Sequence, residues 1–202
     1  MNVGVLASGA GTNLQALIDR VHRRDGIVIT AVASDVATAR ALERARAAGI
    51  ETATFERRRF RDRGARDAAL AGWLHERGVE LVVLAGYMQL LAPGFLEAFR
   101  DRVINVHPSL LPAFPGLHAI EQALDYGVKV FGVSVFFVDD GVDTGPLILQ
   151  RAIELPDARD PAQVLAGLHP IEHELLVDAV KMIAGGAVSR DPANPRRVRI
   201  AR

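Results

Sequence analysis

Residues 3–21 read VGVLASGAGTNLQALIDRV, and the fold turns on this stretch. Val3 to Ala7 is an uninterrupted apolar run, the pattern of a strand covered on both faces. Ser8-Gly9-Ala10-Gly11-Thr12-Asn13 breaks it with a tight loop, after which Leu14, Leu17, Ile18 and Val21 recur at helical spacing. Strand, glycine loop and helix in that order open a parallel crossover unit, whose ligands bind beyond the carboxyl ends of the strands. The N–H groups at the helix start, with the Thr12 and Asn13 side chains, suit an anion, and phosphate is the natural candidate. The plain alternative is a βα turn with a capped helix. Leu14 occupies the third glycine place of a dinucleotide fingerprint, and no Gly-Lys-Ser/Thr follows, so neither that motif nor a P-loop is complete. Asp35 stands where an acid would grip a dinucleotide ribose. Without the third glycine a nicotinamide cofactor is disfavoured, and Asp35 reads as a turn or capping residue before Ala37.

Working outward, the first half alternates strand and helix. Ile27 to Ala33 is a β-branched run; Ala37 to Ala48 is helical in composition and stops at Gly49. Thr52 to Phe55 is a short strand, Ala65 to Arg77 a helix closed by Gly78, and Leu81 to Ala85 the most apolar strand, ended by Gly86. Val103 to Val106 is another strand. The second half differs: Val128 to Val138 and Leu147 to Leu155 are two long strand-like runs flanking Asp139-Asp140-Gly141, expected to pair antiparallel. Pro161 opens a helix that runs to Ile183 and ends at Gly185-Gly186. From Asp191 onward a loop is expected, with a short edge strand at Val198 to Ile200. The expectation is an α/β fold: one Rossmann-like domain, a mostly parallel twisted sheet with helices on both faces, and an antiparallel strand pair in the C-terminal half.

Composition bounds the function. The chain has 202 residues, half of them hydrophobic, with no cysteine, which excludes disulfides, thiolate metal sites and a cysteine nucleophile. Lysine plus arginine (24) balances aspartate plus glutamate (24), so no global field draws nucleic acid or an anionic membrane. The local basic runs, Arg57 to Arg63 and Arg196, Arg197, Arg199 and Arg202, read as solvated surface. No apolar stretch reaches the roughly 20 residues of a membrane span, and no leader precedes the first strand, so a cytoplasmic location is expected.

The candidate chemistry lies in VINVHPSLLPAFPG, residues 103–116. Side chains two apart on a strand share a face, so Asn105 and His107 can serve one pocket. An amide donor and an imidazole together can polarise a carbonyl and hold an oxyanion. Pro108, Pro112 and Pro115 stiffen the chain behind them. Asp143, in DDGVDTGPLILQ, can return to the pocket rim, with Gly141 and Gly145 allowing an unusual backbone path; an Asp beside a His orients the ring. Taken alone, an Asn-x-His is more often a capped strand with a satisfied histidine. No cysteine is present and Ser109 lacks a nucleophile elbow, so the set points to proton management, with the attacking group supplied by substrate. His107, His118 and His173 match no zinc spacing, and no metal is expected.

Five stretches, SGAGTNLQAL, VVLAGYMQLLAPGF, INVHPSLLPAFPGLHAIEQAL, GVSVFFVDDGVDTGPLILQ and EHELL, carry a resemblance. Their order and spacing resemble the phosphoribosylglycinamide formyltransferase family, a branch of the 10-formyltetrahydrofolate-dependent formyltransferases. The resemblance runs from Met1 to about Gly186 and implies a formyltransferase domain over residues 1–186, followed by a C-terminal tail, 187–202. It implies 10-formyltetrahydrofolate as co-substrate and no metal. Glycinamide ribonucleotide is implied as acceptor in purine biosynthesis, with small-molecule partners only and a monomer or homodimer.

Residue by residue, the resemblance implies catalysis by Asn105, His107 and Asp143, phosphate binding by Gly11, Thr12 and Asn13, and ribose binding by Glu172. It implies folate contacts from Arg63, Met88, Gln89, Leu90 and Leu91 and from Val138, Asp139, Asp140 and Gly141. Five positions depart from the family pattern: Gln89 stands where a basic residue is common, Ala113 for a frequent lysine, Phe136 for a frequent histidine, Asp35 for an asparagine, and Thr144 for a glycine-like or acidic residue. The competing readings are a 10-formyltetrahydrofolate hydrolase and a non-catalytic nucleotide-binding module.

Overall fold

Apolar runs at the start of the chain become buried parallel strands. The computed structural model describes residues 1–201, and Arg202, the last member of the basic tail, lies outside them. The chain divides into two compact units, the first ending at Asn105 and the second starting at Val106.

In the first unit β1 (Asn2–Leu6) pairs in parallel with β2 (Val28–Ser34) on one side and β4 (Leu81–Leu84) on the other. β2 pairs with β3 (Glu51–Thr54), and β4 with β5 (Val103–His107), again in parallel. All four residues of β4 are buried, as its unbroken Leu-Val-Val-Leu requires of a strand covered on both faces. Crossovers are made by α1 (Thr12–Arg20), α2 (Arg40–Ala47), α3 (Arg63–Glu76) and the short α4 (Pro93–Ala98). Asp62 caps α3 by accepting the Ala65 N–H at 2.7 Å, and Gly78, at φ +63°, takes the left-handed position after its last turn.

The second unit holds α5 (Ala119–Tyr126), β6 (Val130–Phe137), β7 (Leu147–Glu154), α6 (Pro161–Ala184), β8 (Val188–Asp191) and β9 (Asn194–Ile200). β6 and β7 are antiparallel, with Val133 opposite Arg151. β7 alternates more than β6 does and exposes Gln150, Arg151 and Ala152. Asp160 caps α6 by accepting the Gln163 N–H, with Pro161 at its first turn.

Seven strands run in the order β3-β2-β1-β4-β5-β6-β7, five of them parallel, flanked by helices; β8 and β9 form a separate pair. This is the expected mixed α/β sheet.

Three details differ from the sequence expectation. The stretch after Gly186 is an antiparallel hairpin, β8–β9, rather than a loop with one edge strand, because Ala193 and Arg196 donate into Asp191 and Asn194 and close its turn. α2 starts at Arg40, three residues late, since Ala39 is extended. The helices α4 and α5 were not expected at all.

Candidate functional site

At the end of β5, Asn105 is half-buried and His107 buried, two positions apart on one strand. Within the second unit the His107 ring is held on both nitrogens. Its Nε2–H donates to the Phe114 carbonyl at 2.9 Å, an oxygen that can only accept. Its Nδ1 lies 3.5 Å from Asp143 Oδ2. That same carboxylate oxygen accepts the Gly116 N–H at 2.7 Å, so Asp143 is fixed between the strand end and the proline-rich turn.

The turn is pegged by neutral groups. Ser134, fully buried on β6, donates to the Ser109 carbonyl at 2.6 Å and accepts the Leu111 N–H at 3.1 Å. Gln150 on β7 donates to Ser134 Oγ and to the Leu111 carbonyl, and Ser109 Oγ donates to the Ala113 carbonyl.

Asp143 has φ +51°, a left-handed conformation that an L-residue adopts at a cost, least for Asn, Asp and Gly. Its loop is drawn together by Asp139, whose Oδ1 accepts the Gly141 N–H at 3.1 Å and the Thr144 hydroxyl at 2.6 Å. A Cβ on Gly145 would stand 1.6 Å from the Phe137 carbonyl oxygen, so only glycine permits this close return of the chain. Arg196 of β9 reaches Asp139 Oδ2 at 3.8 Å, so the C-terminal hairpin touches the loop that carries Asp143. Glu172 is buried on α6. Val138 and Asp139 are half-buried; Asp140 and Gly141 are exposed.

In the first unit the glycine loop is fastened at four points. Ser8 N–H donates to the Gly86 carbonyl, Ser8 Oγ to Asp35 Oδ1 at 2.5 Å, Ala41 N–H to the Gly9 carbonyl, and Arg44 Nε to the Ala10 carbonyl. Gly11 combines φ +71° with a Cβ direction that ends 2.7 Å from the Ala41 backbone, so glycine is required twice over. It precedes α1 without a side-chain cap, which leaves the helix-start N–H groups to Thr12, half-buried, and Asn13, buried.

The segment after β4 presents Met88 and Leu90, 62% and 58% exposed, while its polar groups turn inward. Gln89 Nε2 donates to Asp35 Oδ2 at 2.9 Å, and Gln89 Oε1 accepts from Arg66 at 3.1 Å. Asp35 therefore caps no helix: both its oxygens are engaged by Ser8 and Gln89. Arg66, fully buried on α3, also pairs with Asp67 at 2.7 Å and donates to the Leu90 carbonyl at 3.3 Å. Asp67 Oδ2 accepts the Ala92 N–H at 2.7 Å. Burial opposes the Arg66 charge, but the Asp67 hydrogen bond and the Asp67 and Asp35 carboxylates outweigh it, so its pKa is raised. Burial likewise pushes the neighbouring Tyr87 phenol well above its ordinary value. Arg63 is exposed at the first turn of α3.

Sequence reasoning missed Arg66, Asp67, Ser134, Gln150 and Phe114. One signal was available: Arg66 and Asp67 fall on the stripe of Leu70, Ala71 and Leu74, and an adjacent charge pair on an apolar stripe marks a buried ion pair.

A parallel-sheet α/β fold with a glycine loop after β1 and a His107–Asp143 contact at the end of β5 defines a class, and comparison with known proteins identifies it. The formyl transferase family model matches residues 1–180, and the chain belongs to that family of enzymes. It is 38% identical over 182 residues to the phosphoribosylglycinamide formyltransferase of Bacillus subtilis, covering 90% of this chain and 93% of that protein. The crystal structure of glycinamide ribonucleotide transformylase 1 from Symbiobacterium toebii matches with a TM-score of 0.95 at 44% identity, covering 100% of this chain and 94% of that one. A match at 41% identity to the trifunctional purine biosynthetic protein adenosine-3 of Drosophila pseudoobscura pseudoobscura covers 93% of this chain but only 14% of that longer protein.

Among the described residues no group of three or more His, Cys, Asp or Glu is arranged to hold a metal, and no helix is long and apolar enough to cross a membrane.

Proposed function

We propose that this enzyme transfers the formyl group of 10-formyltetrahydrofolate to the amine of 5'-phosphoribosylglycinamide, a step of purine biosynthesis, in the cytoplasm. The names of the relatives support the ribonucleotide acceptor and the formyl transfer, and the observation that carries the chemistry is the His107–Asp143 contact at the end of β5. The phosphate binds at Gly11, Thr12 and Asn13, and the ribose hydroxyls at Glu172. The formyl donor lies against Met88, Leu90 and Leu91, with Gln89 behind them, and along Val138 to Gly141, with Arg63 nearby. The catalytic domain covers residues 1–186, with a C-terminal tail, 187–202, appended.

The substrate amine attacks the formyl carbon, and the carbonyl electrons move onto oxygen. The Asn105 amide donates to that oxygen, and the His107 ring, held between Phe114 and Asp143, helps to stabilise the same charge. Asp143 orients the ring and passes the proton lost by the amine, through water, toward folate N10. The C–N10 bond then breaks, leaving the formylated amine and tetrahydrofolate.

The deciding assay follows loss of 10-formyltetrahydrofolate with and without glycinamide ribonucleotide. Consumption that requires the amine is expected; equal consumption without it would establish a hydrolase instead. Asp143→Asn, which keeps the left-handed backbone, is expected to lower kcat about 10²-fold or more. A rate near that of the parent would remove Asp143 from the mechanism.

A further inference from the structure

Five polar side chains in the first unit form one continuous chain: Ser8–Asp35–Gln89–Arg66–Asp67. Its ends and middle grip the backbone of a single segment. Ser8 Oγ accepts the Met88 N–H at 2.9 Å, Arg66 donates to the Leu90 carbonyl, and Asp67 accepts the Ala92 N–H. The backbones of Met88, Leu90 and Ala92 are thus bonded to buried or half-buried polar groups, while the Met88 and Leu90 side chains project outward. Ser8 belongs to the glycine loop as well, so the same chain fixes that loop and the 88–92 segment against a common carboxylate, Asp35.

A structural role alone does not account for this layout. Holding three backbone groups of an exposed loop with a chain that includes a buried carboxylate, a half-buried one and a buried guanidinium is a costly way to stabilise a fold, since an apolar core of the same volume does so at less desolvation cost. The arrangement does fix where two large exposed apolar side chains stand, and preorganised walls reduce the ordering cost of binding a flat ligand.

We propose that Asp35, Arg66 and Gln89 are positioning residues for the formyl donor: they set the Met88–Leu91 wall in its binding geometry without touching the ligand. This rests on the reading above that the wall takes the folate.

Gln89→Leu removes both links of the central amide while filling its volume. It is expected to raise KM for 10-formyltetrahydrofolate, and the dissociation constant of tetrahydrofolate measured by calorimetry, about tenfold. KM for the ribonucleotide should change less than twofold and kcat less than threefold, and hydrogen exchange at the Met88 and Ala92 amides should speed up. Arg66→Gln alone leaves Asp67 uncompensated, at a cost to folding. The exchange Arg66→Gln with Gln89→Arg keeps one guanidinium and one amide between the two carboxylates, and is expected to recover the folate KM to within threefold of the parent.

Unchanged folate affinity in Gln89→Leu, or equal rises for both substrates, would overturn the proposal, as would an exchange variant no better than Gln89→Leu. A parent protein that binds no tetrahydrofolate would instead overturn the assignment of the wall to folate.

Discussion

Two loops that follow parallel strands are held in opposite ways. The segment after β4 is fastened by charges, with Arg66 fully buried between Asp67 and Gln89. The turn after β5 is fastened by neutral groups, the Ser134 hydroxyl and the Gln150 amide. A charged fastening fails badly when one member is lost, because the remaining ion stays buried without compensation. A neutral one loses a hydrogen bond and leaves a cheaper vacancy. The turn proposed to carry the chemistry thus has the more forgiving support, and it adds no fixed charge beside His107 and Asp143.

The contrast is sharpest in Arg66→Met. Leaving Asp67 buried without its partner is expected to destabilise by about 3–5 kcal/mol in urea unfolding. A cost under about 1 kcal/mol would mean that Asp67 is hydrated or neutral, and the charged description would fall. Ser134→Ala, which removes one donor and strands the Leu111 N–H, is expected to cost about 1–3 kcal/mol; a loss equal to that of Arg66→Met would erase the distinction. The smallest effect belongs to Tyr87→Phe. The Tyr87 hydroxyl is buried without a hydrogen-bond partner among the described residues, so its removal is expected to be neutral or mildly stabilising, within about 1 kcal/mol. A clear destabilisation would show that the hydroxyl belongs to the Arg66 network.

The sheet was legible where apolar runs were unbroken. Val3 to Ala7, Leu81 to Ala85 and the paired runs Val128 to Val138 and Leu147 to Leu155 all became strands within a residue or two of their reading. The helix α5 was hidden because His118, at φ +61°, enters it in a left-handed conformation with no capping side chain, so no start signal exists. The hairpin β8–β9 was hidden by Pro195 and four arginines, a composition that reads as solvated tail; Arg190, Arg196 and Arg199 find a ring and two carboxylates instead.

Within the candidate site, Asn105, His107 and Asp143 were singled out by their type and place. The support behind Met88 was not, because Asp35, Arg66 and Gln89 lie far apart in sequence and none follows a local motif. Only folding brings them together.

The backbone at Asp143 has a consequence for how this chain can vary. At φ +51° the position favours Asp, Asn and Gly before any chemistry is considered. The proposed mechanism would add a demand for the carboxylate, so that conformation and charge would specify the position independently. An alanine survey would break both specifications at once and report their sum as the worth of one carboxylate. Asparagine separates them, so the ratio of the two variants' rates measures how much of the position's importance is geometry.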